Sequence, residues 1–250
     1  FLGELFGTAL LLTLGNGVVA NQLLGKTKGR STGWVLITVG WGFAVAIAVY
    51  SVGRISGAHL NPAVTIAFFL TTDLTASQVP VYLIGQLAGA FLGAVIVWIA
   101  YFAHWRTTES PDEKLAVFCT GPAIRSTGPN FACEFIGTAV LLFGILAIAG
   151  NARNFKDGTV DLSPLYATGI GPMLVGILVT VIGMSLGGPT GFAINPARDL
   201  GPRIAHALLP IPGKRDSDWS YAWIPVVAPI LGGIAGAWLF RLLDTYATVP

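Results

Sequence analysis

"SGAHLNPAVT" occupies Ser56 to Thr65 and "TGFAINPARD" occupies Thr190 to Asp199, so nearly the same polar, proline-containing decapeptide is written twice, 134 residues apart. Asn is a favoured helix N-cap and Pro a favoured first helical residue, so Asn61-Pro62-Ala63 and Asn195-Pro196-Ala197 each announce a helix start. The helices they start are short. Asn61 to Thr71 covers about 16 Å at 1.5 Å per residue, roughly half of a bilayer's hydrocarbon core, and Asn195 to Leu208 is similar. Neither segment can cross a membrane alone.

The rest of the chain supplies the membrane. Of 250 residues, 54% are hydrophobic and only 10% are charged, against about 25% charged in a soluble domain. Mean hydropathy is +0.72. Six apolar runs are long enough to cross: residues 4 to 24, 34 to 53, 79 to 103, 131 to 150, 165 to 186 and 221 to 243. Their length without a period of two excludes a barrel and predicts an all-α membrane protein with six spans and two half-helices. The first run leads directly into ordered spans with no cleavage-type ending, and reads as a span rather than a signal peptide. A net charge of +2 points to no nucleic acid. Cys119 and Cys133 have no ligand-type spacing and read as two unpaired thiols, so no metal and no cofactor are expected.

A second repeat accompanies the first. "ELFGTALLL" from Glu4 returns as "EFIGTAVLL" from Glu134. Each half therefore holds a Glu-bearing span, a second span, the Asn-Pro-Ala segment and a third span. Three crossings per half force the second half to enter from the opposite side, which predicts one domain over 1–250 built from inverted repeats, 1–103 and 131–243, joined by a polar loop at 104–130. The two half-helices then meet tip to tip near the midplane and complete a seventh crossing. Gly85, Gly89 and Gly93, like Gly232 and Gly236, stand at the spacing that lets membrane helices approach closely.

The non-helical backbone before each half-helix cannot face lipid with unpaired carbonyls, and is tolerated only where it is buried or lines a wet cavity. Gly57, Ala58 and His59, with Gly191, Phe192 and Ala193, thus read as carbonyl acceptors along a pore, and Asn61 and Asn195 as amide donors at its centre. Two helix N-termini aimed at that centre carry about half a positive charge each, which opposes cations.

Two Asn-Pro-Ala boxes, two Glu-x-x-Gly-Thr-Ala openings, six spans and "GFAINPARDLGP" together resemble the aquaporin superfamily, and within it the bacterial glycerol facilitator, or aquaglyceroporin, branch. The resemblance covers the whole chain. It implies a passive channel for glycerol, water and other small neutral solutes such as urea or small organic acids, closed to protons and ions, in the cell membrane, with no chemistry. It also implies a homotetramer with one pore per subunit. The narrow filter falls on Trp41, Gly183, Phe192 and Arg198. Water-selective members commonly carry His where Gly183 stands, so a wider, more apolar opening is implied here. Two aromatic faces suit the CH edge of a polyol, and an arginine with carbonyls suits its hydroxyls. Asp199 and Pro225 also resemble the glycerol branch, while Val226 replaces a common Leu.

Bland readings stand beside these. Arg198 could be a snorkelling cation, and Trp41 and Phe192 ordinary core or belt aromatics. Glu4 and Glu134 are read as scaffold, each accepting from the turns before a half-helix, and Asp199 as a brace for the second half-helix. His59 reads as holding its loop by a ring hydrogen bond, with a pH gate as the sharper alternative. Gln86 reads as bonding within the bundle. A secondary active transporter with inverted repeats, coupling ions through Glu4 and Glu134, is the alternative function. An ion channel lacks its filter sequence here, and His59, His104 and His206 have no partner spacing that suggests an enzyme. Family topology places both termini in the cytoplasm, which leaves most of the 14 Lys and Arg residues outside, opposite to the positive-inside tendency.

Overall fold

A computed structural model describes residues 1–72, 74–157 and 160–247. Among the described residues, six helices are long and apolar enough to cross a membrane. In chain order the helices are α1 (Leu2–Leu23), α2 (Trp34–Ser56), α3 (Pro62–Thr71), α4 (Gln78–Ala100), α5 (Pro111–Phe118), α6 (Thr127–Gly150), a short α7 (Ser163–Leu165), α8 (Gly171–Leu186), α9 (Pro196–Leu208) and α10 (Ile224–Ala247). The π-helical turn Tyr166–Ile170 joins α7 to α8. The crossing segments agree with the apolar runs to within a few residues, and the differences have local causes. The run ending at 103 stops as a helix at Ala100, where a 3₁₀ turn, Phe102–His104, takes over. The run beginning at 221 starts with turns before α10 is established at Ile224.

Two features of the connections differ from a plain polar loop. Residues 104–130 contain α5, whose start is fixed by Ser110 accepting from the Glu113 amide at 3.2 Å, with Pro111 at the first position. This is the same Asx/Ser-cap logic as the Asn-Pro boxes, and "SPDE" carries it in the sequence. A two-residue hairpin, Lys156–Asp157 with Val160–Asp161, lies between α6 and α7.

Packing repeats between the halves. α1 packs on α2 and α4, while α6 packs on α8 and α10. The half-helices are exchanged: α3 lies against α10, and α9 lies against α4. The glycine spacing explains how close the long helices come. A Cβ at Gly89 would stand 2.3 Å from the Leu5 carbonyl oxygen, and one at Gly236 would stand 2.1 Å from the Ala139 carbonyl oxygen. Helices α4 and α10 therefore touch α1 and α6 backbone to backbone, the contact that holds helices together in lipid. Large apolar side chains such as Phe6, Ile84, Ile136, Ile177 and Trp238 are exposed on the outer surface, as a lipid-facing surface requires.

The outer end of each half-helix is finished by a cation from elsewhere in the chain. The Arg241 guanidinium donates to the Thr71 carbonyl at the end of α3. Lys214 donates to the carbonyls of His206, Ala207 and Leu209 at 2.6, 2.9 and 2.8 Å, at the end of α9. Positive charge at a helix C-terminus complements the dipole and satisfies carbonyls that have no intrahelical donor. Partial burial holds the Lys214 ammonium below the usual lysine range.

Candidate functional site

Each Asn-Pro-Ala box caps its half-helix as its residue types demand. Asn61 Oδ1 accepts from the Ala63 amide at 2.9 Å. Asn195 Oδ1 accepts from Ala197 at 3.0 Å and from Arg198 at 3.2 Å. The other end of each amide reaches across. Asn61 Nδ2 donates to the Ile194 carbonyl at 2.8 Å, and Asn195 Nδ2 donates to the Leu60 carbonyl at 2.9 Å. The two helix tips are thus locked together by a reciprocal pair of buried hydrogen bonds. One amide hydrogen of each Asn is committed to this lock, and the second has no protein acceptor among the described residues.

The loops that lead into the boxes share an unusual backbone. Gly57, Ala58 and Leu60 have φ of 76°, 52° and 54°, and Gly191, Phe192 and Ile194 have φ of 82°, 39° and 42°. Three of four consecutive residues in each loop, at equivalent positions, are therefore left-handed, a conformation that only Gly adopts without cost. Buried carboxylates hold the strain. Glu4 accepts from the His59 amide at 3.0 Å and the Leu60 amide at 2.7 Å, and also from the Ser56 hydroxyl and Gln86. Glu134 accepts from the Ala193 and Ile194 amides, both at 2.9 Å. No hydrogen bond to the carbonyls of Gly57, Ala58, His59, Gly191, Phe192 or Ala193 is present among the described residues. All six of these residues line one or other of two cavities.

Those cavities, of about 310 and 350 Å³, adjoin at shared residues. The walls of both include Trp41, Phe192 and Arg198. The three residues, predicted from scattered parts of the chain, therefore form the neck between the two chambers. The Arg198 guanidinium carbon stands 4.4 Å from the centroid of the Trp41 ring. Arg198 Nη1 has no hydrogen-bond partner among the described residues. Phe192 meets Trp34 edge to face, with centroids 5.7 Å apart. Gly183 lines neither of the two cavities. It stands behind the neck, where a Cβ would lie 2.9 Å from the Phe192 ring and 3.0 Å from Thr38, and its carbonyl accepts from the Trp34 indole at 2.9 Å. Its missing side chain is the room in which Phe192 sits.

Around the second half-helix lies a buried ionic cluster. Asp199 pairs with Arg203 at 2.8 Å, both fully buried, and also accepts from the Thr120 amide and hydroxyl at 2.8 and 2.7 Å. Arg203 in turn donates to the carbonyls of Thr120, Ser217 and Asp218. Asp199 thus braces more than its own helix start: it ties the α5–α6 connection, α9 and the loop before α10 into one piece. The partnership of Arg203 and Thr120 was not visible in the sequence, since neither lies in one of the repeated motifs. His59 sits on the first loop with Nδ1 at 3.1 Å from the Thr65 hydroxyl and its ring between Phe68 and Tyr82. Gln86 bonds within the bundle, to Glu4 at 2.6 Å and Thr65 at 2.8 Å. Cys119 and Cys133 are both free thiols. Burial pushes the Cys119 thiol far above its usual range.

Residues 1–240 match the family model described as Major intrinsic protein. The chain is 57% identical over 243 residues to a protein of Thermotoga maritima named "probable glycerol uptake facilitator protein", covering 97% of this chain and 98% of that one. It is 52% identical over 236 residues to the glycerol uptake facilitator protein of Bacillus subtilis, covering 94% and 81%. The X-ray structure of the aquaglyceroporin from Plasmodium falciparum superposes with a TM-score of 0.77 at 30% identity, over 97% of both chains.

Proposed function

We propose, from the premise that this chain belongs to the major intrinsic protein family, that it is a passive channel of a multi-pass membrane protein through which glycerol, water and other small neutral solutes move down their gradients in single file. The observation that carries the reading is the shared neck: Trp41, Phe192 and Arg198 belong to the walls of both chambers, so a solute going from one to the other passes between two aromatic rings and a guanidinium. A polyol fits such a neck because its CH edge lies against aromatic carbon while its hydroxyls accept from the arginine and donate to backbone carbonyls.

Gly183 supports the glycerol assignment indirectly, by leaving room for Phe192. The carbonyls of Gly57, Ala58 and His59 on one side, and of Gly191, Phe192 and Ala193 on the other, act as successive acceptors. Asn61 and Asn195 act as donors where the helix tips meet. A solute oxygen that accepts from them is poorly placed to pass a proton on, and the two N-terminal dipoles oppose cations. No catalysis is involved, and the relatives named above are facilitators and channels rather than enzymes.

The two halves are read as inverted repeats, 1–103 and 131–243, in the cell membrane with both termini cytoplasmic, and the assembly as a homotetramer with one pore per subunit. Ion-coupled transport through Glu4 and Glu134 is not favoured. Both carboxylates are spent on backbone amides of the pore loops, so binding and releasing an ion there would release the loops. Vesicles carrying the protein are expected to take up glycerol at least tenfold faster than protein-free vesicles, a fall of about 1.4 kcal/mol in barrier. Uptake should be insensitive to uncouplers, and the vesicles tight to protons. Uptake that collapses with an uncoupler would favour the transporter.

A further inference from the structure

Trp41 forms one wall of the neck, yet no hydrogen bond from its indole fixes it in place. Its indole Nε1 is buried and has no hydrogen-bond partner among the described residues. Its position is therefore set by packing and by the guanidinium over its ring, and one packing surface is supplied by α1. A Cβ at Gly15 would lie 2.3 Å from Cζ3, 2.5 Å from Cε3 and 2.5 Å from Cη2 of the Trp41 ring. Such separations lie more than an ångström inside ordinary carbon contact, which begins at about 3.5 Å. The ring occupies the space that any side chain at position 15 would need.

The height of Gly15 along α1 is also telling. Leu11 lines the first chamber and Val19 the second, and Trp41 lines both. Residues four apart share a helix face. Gly15 thus lies on the pore-side face of α1, midway between the chambers, at the level of the neck, although it lines neither chamber itself. On the far side of the contact the Arg198 guanidinium stands over the same ring. Displacing the ring changes the gap between Trp41 and Arg198, which is the neck.

We propose that Gly15 is a positioning residue that determines the specificity of the pore, because its bare Cα gives the ring of Trp41 the hollow in which it stands back from the passage. This rests on the reading of the pore as a glycerol channel, and it assigns to α1, which offers no group to the solute at that level, control over how wide a solute the neck admits. Water, a smaller solute, should be less sensitive to the ring's position than glycerol.

The test compares glycerol and water flux, by stopped-flow light scattering on vesicles with equal amounts of reconstituted protein, for the native chain, Gly15→Ala, Trp41→Phe, the double variant and Gly93→Ala. Native glycerol flux checks the function itself; the ratio of glycerol to water in the variants checks the role of Gly15. Gly15→Ala should lower that ratio about fivefold or more, close to 1 kcal/mol of differential barrier. Trp41→Phe, whose smaller ring leaves the hollow partly free, should restore the ratio in the double variant. Gly93→Ala, which crowds the Ala9 carbonyl between α1 and α4, should lower the yield of protein without changing the ratio. Equal losses of glycerol and water in Gly15→Ala, or a loss that persists in the double variant, would overturn the proposal. If Gly15→Ala alone is not recovered in the membrane, recovery of the double variant supports the contact, and its failure overturns it.

Discussion

The two pore loops are written in nearly the same letters and do different work. Their backbones match: equivalent left-handed residues, a buried carboxylate accepting from two successive amides, and an Asn that caps its own helix and bonds across to the other loop. Besides the conservative exchanges Ser56/Thr190 and Leu60/Ile194 and the replacement of His59 by Ala193, their side chains diverge at three positions that matter for the neck. Where the second loop has Phe192, Arg198 and Asp199, the first has Ala58, Val64 and Thr65. The first set leaves a chamber with mostly apolar walls, and the second builds the neck. Under the proposed function, selectivity is an asymmetry laid over a symmetric scaffold, in which a few substitutions make one mouth a filter and the other an antechamber.

If that account is right, damage to the second loop should exceed damage to its counterpart. The largest effect is expected on stability at Asp199. Asp199→Ala leaves Arg203 buried without its carboxylate, and breaking a buried pair in this way costs about 3–5 kcal/mol. Thr65→Ala, at the equivalent position, removes neutral hydrogen bonds worth about 1 kcal/mol each. Thermal unfolding in detergent should show a far larger drop for the first variant; equal drops would mean that the cluster around Arg203 is not a clamp.

Next comes discrimination at the neck. Arg198→Val makes the second loop resemble the first, and should reduce the preference for glycerol over a longer polyol by about tenfold, or 1.4 kcal/mol. Val64→Ala should change it by less than about twofold. Comparable changes would move the filter away from the neck. A third variant sharpens the same contrast: Gly183→His fills the room behind Phe192 and pushes that ring toward the passage, so glycerol flux should fall more than water flux. Equal losses would exclude Gly183 from setting the neck's width.

The smallest effect is a null one. Cys119 is itself part of the wall of the second chamber, yet it is almost fully buried and burial raises its thiol far above the usual range. Because the thiolate is the reactive form, it should resist a soluble maleimide at neutral pH. Rapid labelling would show that the α5–α6 connection opens.

How much of this could be read from the chain follows from where the determining contacts lie. Local chemistry was legible. The spans, the half-helix starts and the scaffold glutamates follow from hydropathy, from Asn-Pro capping and from a repeat that any reader can align. Contacts between elements far apart in sequence were not. The partners of Arg203 on the second half-helix were hidden, because the carbonyls of Thr120, Ser217 and Asp218 that it collects have no sequence signature. Gly183 was identified as part of the filter, but its place behind Phe192 depends on how α8 leans on the second loop. Gly15 sits inside an apolar run where a glycine reads only as close packing, and nothing in that run reveals that an indole from α2 fills its space. The helix in the 104–130 connection was legible in principle, since "SPDE" carries a cap, a first-turn proline and acids at the N-terminal end.

The most direct test of the central claim is an experimental structure of the protein in lipid with glycerol present. The account predicts a glycerol molecule in the neck, its carbon edge against Trp41 and Phe192 and a hydroxyl within hydrogen-bond distance of the Arg198 guanidinium, with a single file of oxygens continuing past Asn61 and Asn195. Glycerol bound elsewhere while the neck is sealed, or a neck formed by other residues, would contradict it.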